Sequence, residues 1–152
     1  MAGSFNPADV FNPAAKPITQ GEPDWYTYTF DFLALAPNAV QTITNQIDAS
    51  AQFLLTAISY QAVGAIGAST YTADNNPVPA VRILVFDSGS SKQLMNNPTY
   101  LNCLAGVGGL PQRLIHPRFF DKSSAVQMQV TSDDSTTWAH LQVSFIGFRI
   151  YG

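Results

Sequence analysis

Apolar and polar side chains alternate with period two through most of the chain beyond residue 23. Tyr26, Tyr28, Phe30 and Phe32 alternate with Trp25, Thr27, Thr29 and Asp31, which is the pattern of a strand with one face buried. Ala36-Pro37-Asn38 predicts a turn, Val40–Ile47 a more polar strand, and Asp48-Ala49-Ser50 a second turn. Gln52–Val63 is a long apolar run; its length suits a helix through 51–63, but Thr56, Ile58, Tyr60 and Val63 favour a strand. Gly64, Gly67, Asp74-Asn75-Asn76-Pro77 and Pro79 break the pattern before the next apolar strand, Val81–Phe86, which closes on Asp87-Ser88-Gly89-Ser90. Asn96-Asn97-Pro98 and Gly106–Gly109 mark an irregular connection, and Gln112–Phe120 is a short segment broken by Pro117.

Near the end of the chain, Val126, Met128 and Val130 alternate with Gln127 and Gln129, and Leu141, Val143 and Phe145 share one face of the run Thr136–Ile150. With the polar turn Ser132–Ser135 between them, these two runs predict a closing antiparallel hairpin. Past Phe145 the apolar positions move to Ile146, Phe148 and Ile150 around Gly147, which predicts a bulge. About eight strands at roughly ten-residue spacing predict an all-β fold, a jelly-roll-like β-sandwich, as one domain over residues 24–152.

Residues 1–23 follow a different rule. They hold four of the ten prolines and two copies of one tripeptide, Phe5-Asn6-Pro7 and Phe11-Asn12-Pro13. Proline removes an N–H and pushes the preceding residue toward extended geometry, so neither a helix nor a central strand is open to this stretch. An extended Pro-rich N-terminal arm is expected, lying on its own domain or on a neighbour.

Composition narrows the function classes. Hydrophobic residues make up 46 % of the 152 positions and charged residues 11 %, which excludes a disordered solvating chain. One Glu stands against nine Asp, with three Lys, so the ion-paired faces of a helical bundle are missing. A net charge of −3 offers no basic stripe for direct nucleic-acid binding. No apolar run is long enough for a membrane-spanning helix. A start of Met1-Ala2-Gly3-Ser4 and a single cysteine, Cys103, suit a protein made in the cytosol without a signal peptide or internal disulfide.

No catalytic set assembles from the sequence, and no cofactor or metal is expected. Asp87-Ser88-Gly89 after an apolar strand resembles the loop of aspartic proteases, in which two carboxylates share a proton, but a second such loop is absent and the tripeptide is an ordinary turn. His116 and His140 are not at a metal-ligand spacing. His140 shares a strand face with Trp138 and Gln142, expected to be polar. Cys103, between leucines, is expected to be a small buried hydrophobe, and Asp133-Asp134 a solvated loop tip. The richest cluster is Leu110–Phe120, in which Arg113, His116 and Arg118 are braided with aliphatics and two Phe. It fits an edge segment with snorkelling arginines, or a contact patch, where Arg and aromatic residues are enriched.

The order Leu-Pro-x-Arg-x-x-x-Pro-Arg-Phe over 110–119, Ser124 opening an alternating strand, and the ending Phe145-Ile146-Gly147-Phe148-Arg149 resemble the decoration, or cement, proteins of tailed-bacteriophage heads over roughly residues 80–152. The resemblance implies a non-enzymatic virion protein on the outer capsid surface, bound to the major capsid protein, often as a homotrimer, with a terminal arm reaching a neighbour. Under it, Phe5, Pro7, Phe11, Pro13, Arg113, His116 and Arg118 are the expected partner-binding residues. A carbohydrate- or receptor-binding sandwich of a virion is the alternative, with Trp25, Trp138 and the tyrosines stacking on sugar rings.

Overall fold

The computed structural model describes residues 23–64 and 78–152; the expected arm therefore lies outside the described residues, except for Pro23. Ten strands follow in order: β1 (Pro23–Leu35), β2 (Val40–Gln46), β3 (Ala51–Val63), β4 (Val81–Asp87), β5 (Lys92–Gln93), β6 (Thr99–Tyr100), β7 (Gly106–Val107), β8 (Gln112–Phe120), β9 (Ala125–Ser132) and β10 (Trp138–Tyr151). Pro23 opens β1 opposite Ile150, a strand-end position where the missing N–H is tolerated. The run 51–63 is a strand, not a helix, because it pairs along its length with β10 and at its first half with β8.

Apart from the short parallel pairing of β7 with β3, the pairings are those of one antiparallel ribbon doubled back on itself. First meets last (β1–β10), β2 meets β9, β3 meets β8, and β4 meets β5 and β6. Rolling such a ribbon sends successive pairs into alternate sheets and adds the contacts β10–β3 and β9–β4. One sheet runs β1-β10-β3, with β7 and β8 beside β3; the other runs β2-β9-β4, with β5 and β6 beside β4. This is the jelly roll, two Greek keys closed into a sandwich.

The core lies between the inner faces. Phe30, Phe32, Leu55, Tyr60, Phe120, Val143 and Phe145 of the first sheet meet Val81, Ile83, Val85, Val126, Met128 and Val130 of the second. Phe120 stacks between Phe53 and Phe145 at centroid distances of 6.4 and 6.2 Å, and Phe30 meets Phe145 edge-on at 5.1 Å. At the open edge, Asn45 and Gln41 of β2 donate side-chain N–H groups to the carbonyls of Thr29 and Leu33 at 2.8 and 3.0 Å. The polar strand thereby serves as a stitch between sheets.

The structure corrects the expected closing hairpin. β9 and β10 are each central strands, but of opposite sheets, and do not pair. Alternation dictates which face of a strand is apolar; it does not choose the neighbour. The link between them crosses the sandwich and is held along its length. Asp133 accepts two hydrogen bonds from the Arg82 guanidinium, at 2.5 and 2.7 Å, and one from the Tyr100 hydroxyl at 3.1 Å. Asp134 accepts from Trp138 Nε1 at 3.2 Å and Ala80 N at 3.4 Å. These two carboxylates fasten the link, with Asp133 still exposed at the surface as expected.

Candidate functional site

The outer face of the β1-β10-β3-β8 sheet has two unlike halves. On β1 the inward residues are even-numbered as far as Phe32, so Trp25, Thr27, Thr29 and Asp31 point outward; on β10 Ile146 and Phe148 share that side, since Ile146 faces Thr27 and Phe148 faces Trp25. One end of the face is therefore apolar, with Trp25 65 % and Phe148 36 % exposed. The other end is polar: His140 Nε2 and Gln142 Nε2 both meet Asp31 Oδ1, at 2.9 and 2.8 Å. Those contacts, the His140 one foremost, hold the Asp31 carboxyl below its ordinary value.

A bulge sets up the apolar half: the β10–β3 register shifts between Ile146 and Gly147, at the place the sequence pattern predicts, although the extra residue is on the facing strand. β10 keeps its alternation through Gly147, and the extra residue is Thr56 of β3, which both neighbouring ladders skip between Leu55 and Ala57. Its hydroxyl donates to the Ile146 carbonyl at 3.1 Å. The apolar run Ile146-Gly147-Phe148 reflects an apolar outer surface, not a change of face. Gly147 is needed because its missing Cβ would stand 1.9 Å from the Leu54 carbonyl oxygen.

Opposite Thr56, β8 makes a larger excursion. Arg113 pairs with Ala57 and Arg118 with Leu55, so the four residues Leu114–Pro117 between them bow out of the ladder. Pro117, which lacks an N–H for the ladder, ends that excursion. Leu114 tucks back toward the core, whereas Ile115 is 92 % exposed beside an exposed His116. Between this excursion and β1 runs a groove of about 560 Å³, walled by Trp25, Ala57, Leu114, Pro117, Ile146 and Phe148, with Arg113 at its rim. Neither Arg113 nor His116 has a side-chain hydrogen bond or ion pair among the described residues.

Arg118 does not join that patch. It lies opposite the inward Leu55, and its guanidinium turns to β4, 3.6 Å from the Asp87 carboxylate and 3.1 Å from the Ser90 hydroxyl. Asp87 is buried and also accepts from Gly89 N at 2.9 Å and Ser90 Oγ at 2.7 Å. Both its oxygens are occupied by a turn and an arginine. The Asp-Ser-Gly element thus pins the end of β4 to β8, and among the described residues no second carboxylate is hydrogen-bonded to Asp87 as in a protease dyad.

Trp138 is 5 % exposed, with its indole N–H on Asp134, and so cannot stack on a sugar ring. Cys103 is exposed, because the short turn Leu101–Cys103 anchors itself through the buried Leu101 instead. Phe5, Pro7, Phe11 and Pro13 lie outside the described residues. Among the described residues no group of three or more His, Cys, Asp or Glu could hold a metal ion, and no helix is long and apolar enough to cross a membrane. Trp25, Phe148 and Leu110, all exposed, are surface residues that the sequence reading did not single out as a set. For Trp25 and Phe148 the signal was a large apolar side chain on the outward phase of an alternating strand; Leu110 lies in the turn before β8.

No protein-family model matches the chain, and no curated protein matches it. Among solved structures, the VP2 subviral particle of infectious bursal disease virus is similar over 93 % of this chain and 41 % of that one, at 8 % identity and a TM-score of 0.32. The chain thus spans about two fifths of that protein's chain.

Proposed function

We propose that the protein is a non-enzymatic structural component of a virion, a decoration protein that binds the major capsid protein on the outer surface of the shell, as a homotrimer. One observation supports this above the rest. The sandwich presents an apolar half-face continuous with an outward excursion that carries Ile115 and His116, next to Arg113, whose side chain has no partner among the described residues. An apolar centre with an arginine at its rim is the make-up of a docking patch. The arm, with Phe5, Pro7, Phe11 and Pro13, would add a second attachment to a neighbouring subunit and raise avidity without strengthening any one contact. A molecule that binds only the assembled shell stabilises it by linkage.

Ile115→Asp tests the patch. The residue is almost wholly exposed, so the variant should keep its melting temperature, with stability changed by no more than about 0.5 kcal/mol. It should co-sediment with shells of the same genome's major capsid protein at least tenfold more weakly, about 1.4 kcal/mol. Undiminished co-sedimentation would remove the excursion from the interface.

A further inference from the structure

We propose that, in the free protein, residues 5–11 of the chain's own N-terminal segment occupy the groove between Trp25 and Pro117. Four features select this occupant. The first is where the segment joins: residue 22 is bonded to Pro23, two residues from Trp25, so the segment meets the domain at the groove's β1 rim. Gly21 beside that junction supplies a residue suited to reversing the chain.

The second is apolar content. The groove walls are Trp25, Leu114, Ile146 and Phe148 with two prolines; the segment carries Phe5 and Phe11, each followed by Asn-Pro. The third is charge. Arg113 is the cation at the rim with no partner among the described residues, and Asp9 lies between the two phenylalanines. The fourth is dimension. From β1 to β8 the groove crosses three interstrand spacings, about 14 Å. Residues 5 to 11 span at most about 20 Å when extended, and the Asn-Pro pair would allow a turn that shortens that toward the groove's width. Residues 12–22 reach about 35 Å, ample for the return.

The same fit would serve the segment of a second copy. Tethering decides between them: a short flexible linker gives an effective concentration in the millimolar range, far above the micromolar concentrations at which the free protein would be handled. This placement is independent of any shell, and on a shell the segment could be handed to a neighbour's pocket.

The test uses full-length chains and acrylamide quenching of tryptophan. The chain has two tryptophans; Trp138, buried and hydrogen-bonded to Asp134, is the constant background, so changes report Trp25. Phe5→Ala with Phe11→Ala should raise the quenching and shift the emission to the red. Arg113→Asp should do the same, and adding Asp9→Arg to it should restore protection. Equal quenching of wild type and the double phenylalanine variant would overturn the proposal, as would a charge reversal without rescue. Complementation separates own segment from partner's. The Phe5→Ala, Phe11→Ala protein is co-refolded with Trp25→Phe, which has an intact segment and a silent groove. Unchanged quenching is expected; renewed protection would assign the groove to a second copy and overturn the intramolecular placement.

Discussion

Gly147→Ala is the smallest change that attacks the bulge on which the apolar half-face is built. An added Cβ would stand 1.9 Å from the Leu54 carbonyl oxygen, 2.9 Å from its carbon and 3.1 Å from Phe53 Cζ. Ordinary C···O contacts begin near 3.3 Å, so one of the two backbones must retreat by over about 1 Å. The nearest atoms belong to a paired main chain, so no rotamer change relieves the clash. Overpacking of this kind costs about 1–3 kcal/mol, and the absence of a side-chain escape puts this case near the top of that range. Reduced unfolded-state entropy returns about 0.4–1 kcal/mol. The net loss is about 2 kcal/mol, which for a domain of this length lowers the melting temperature by about 4–8 °C. Gly109→Ala is the control: a Cβ there meets nothing within 4 Å, and its effect should stay within about 0.5 kcal/mol. Urea unfolding followed by circular dichroism reads both, with an unchanged slope expected. A Gly147→Ala protein as stable as wild type would refute the close approach of β10 to the Thr56 bulge.

Asp87→Ala strips the acceptor from Gly89 N–H, the Ser90 hydroxyl and Arg118, and should cost about 1–3 kcal/mol in the same assay. Wild type should cleave no peptide at acidic pH, and cleavage that Asp87→Asn abolished would return the protease reading. Acid should destabilise the fold in a defined window. Asp31, Asp48 and Asp133 are all held below the ordinary 3.8, by His140, Ser50 and Arg82 foremost. A lowered carboxylate contributes stability that is fully present above the unfolded value and is lost as pH falls through the folded one. The urea midpoint should therefore be level just above about pH 5 and drop below pH 4, and a midpoint unchanged down to pH 2 would contradict these contacts.

Strand identity was legible wherever one face is dry. Tyr26, Tyr28, Phe30 and Phe32 declare β1, and Val126, Met128 and Val130 declare β9, because period two leaves a single choice of inward face. Partner choice was not legible: β9 and β10 carry patterns that suit a hairpin as well as two sheets. What separates them is the link from Asp133 to Trp138, whose fastening to Arg82 and Ala80 is set by residues some fifty positions away. The bulge was sensed at Gly147 but belongs to Thr56, since a ladder irregularity involves two strands and a sequence pattern shows one at a time. For the candidate surface, the Leu110–Phe120 cluster pointed to the right segment. The opposite directions of Arg113 and Arg118 follow from the four-residue excursion between them, which cannot be counted without knowing the register against β3.

The most direct test of the proposed role is a cryo-electron microscopy reconstruction of shells of the same genome's major capsid protein, incubated with this protein. The expected density is a sandwich on the outer surface, with the excursion Leu114–Pro117 against a capsid subunit and the β2-β9-β4 sheet facing away. Shells that carry no added density, or density that meets the capsid through the β2-β9-β4 sheet, would contradict it.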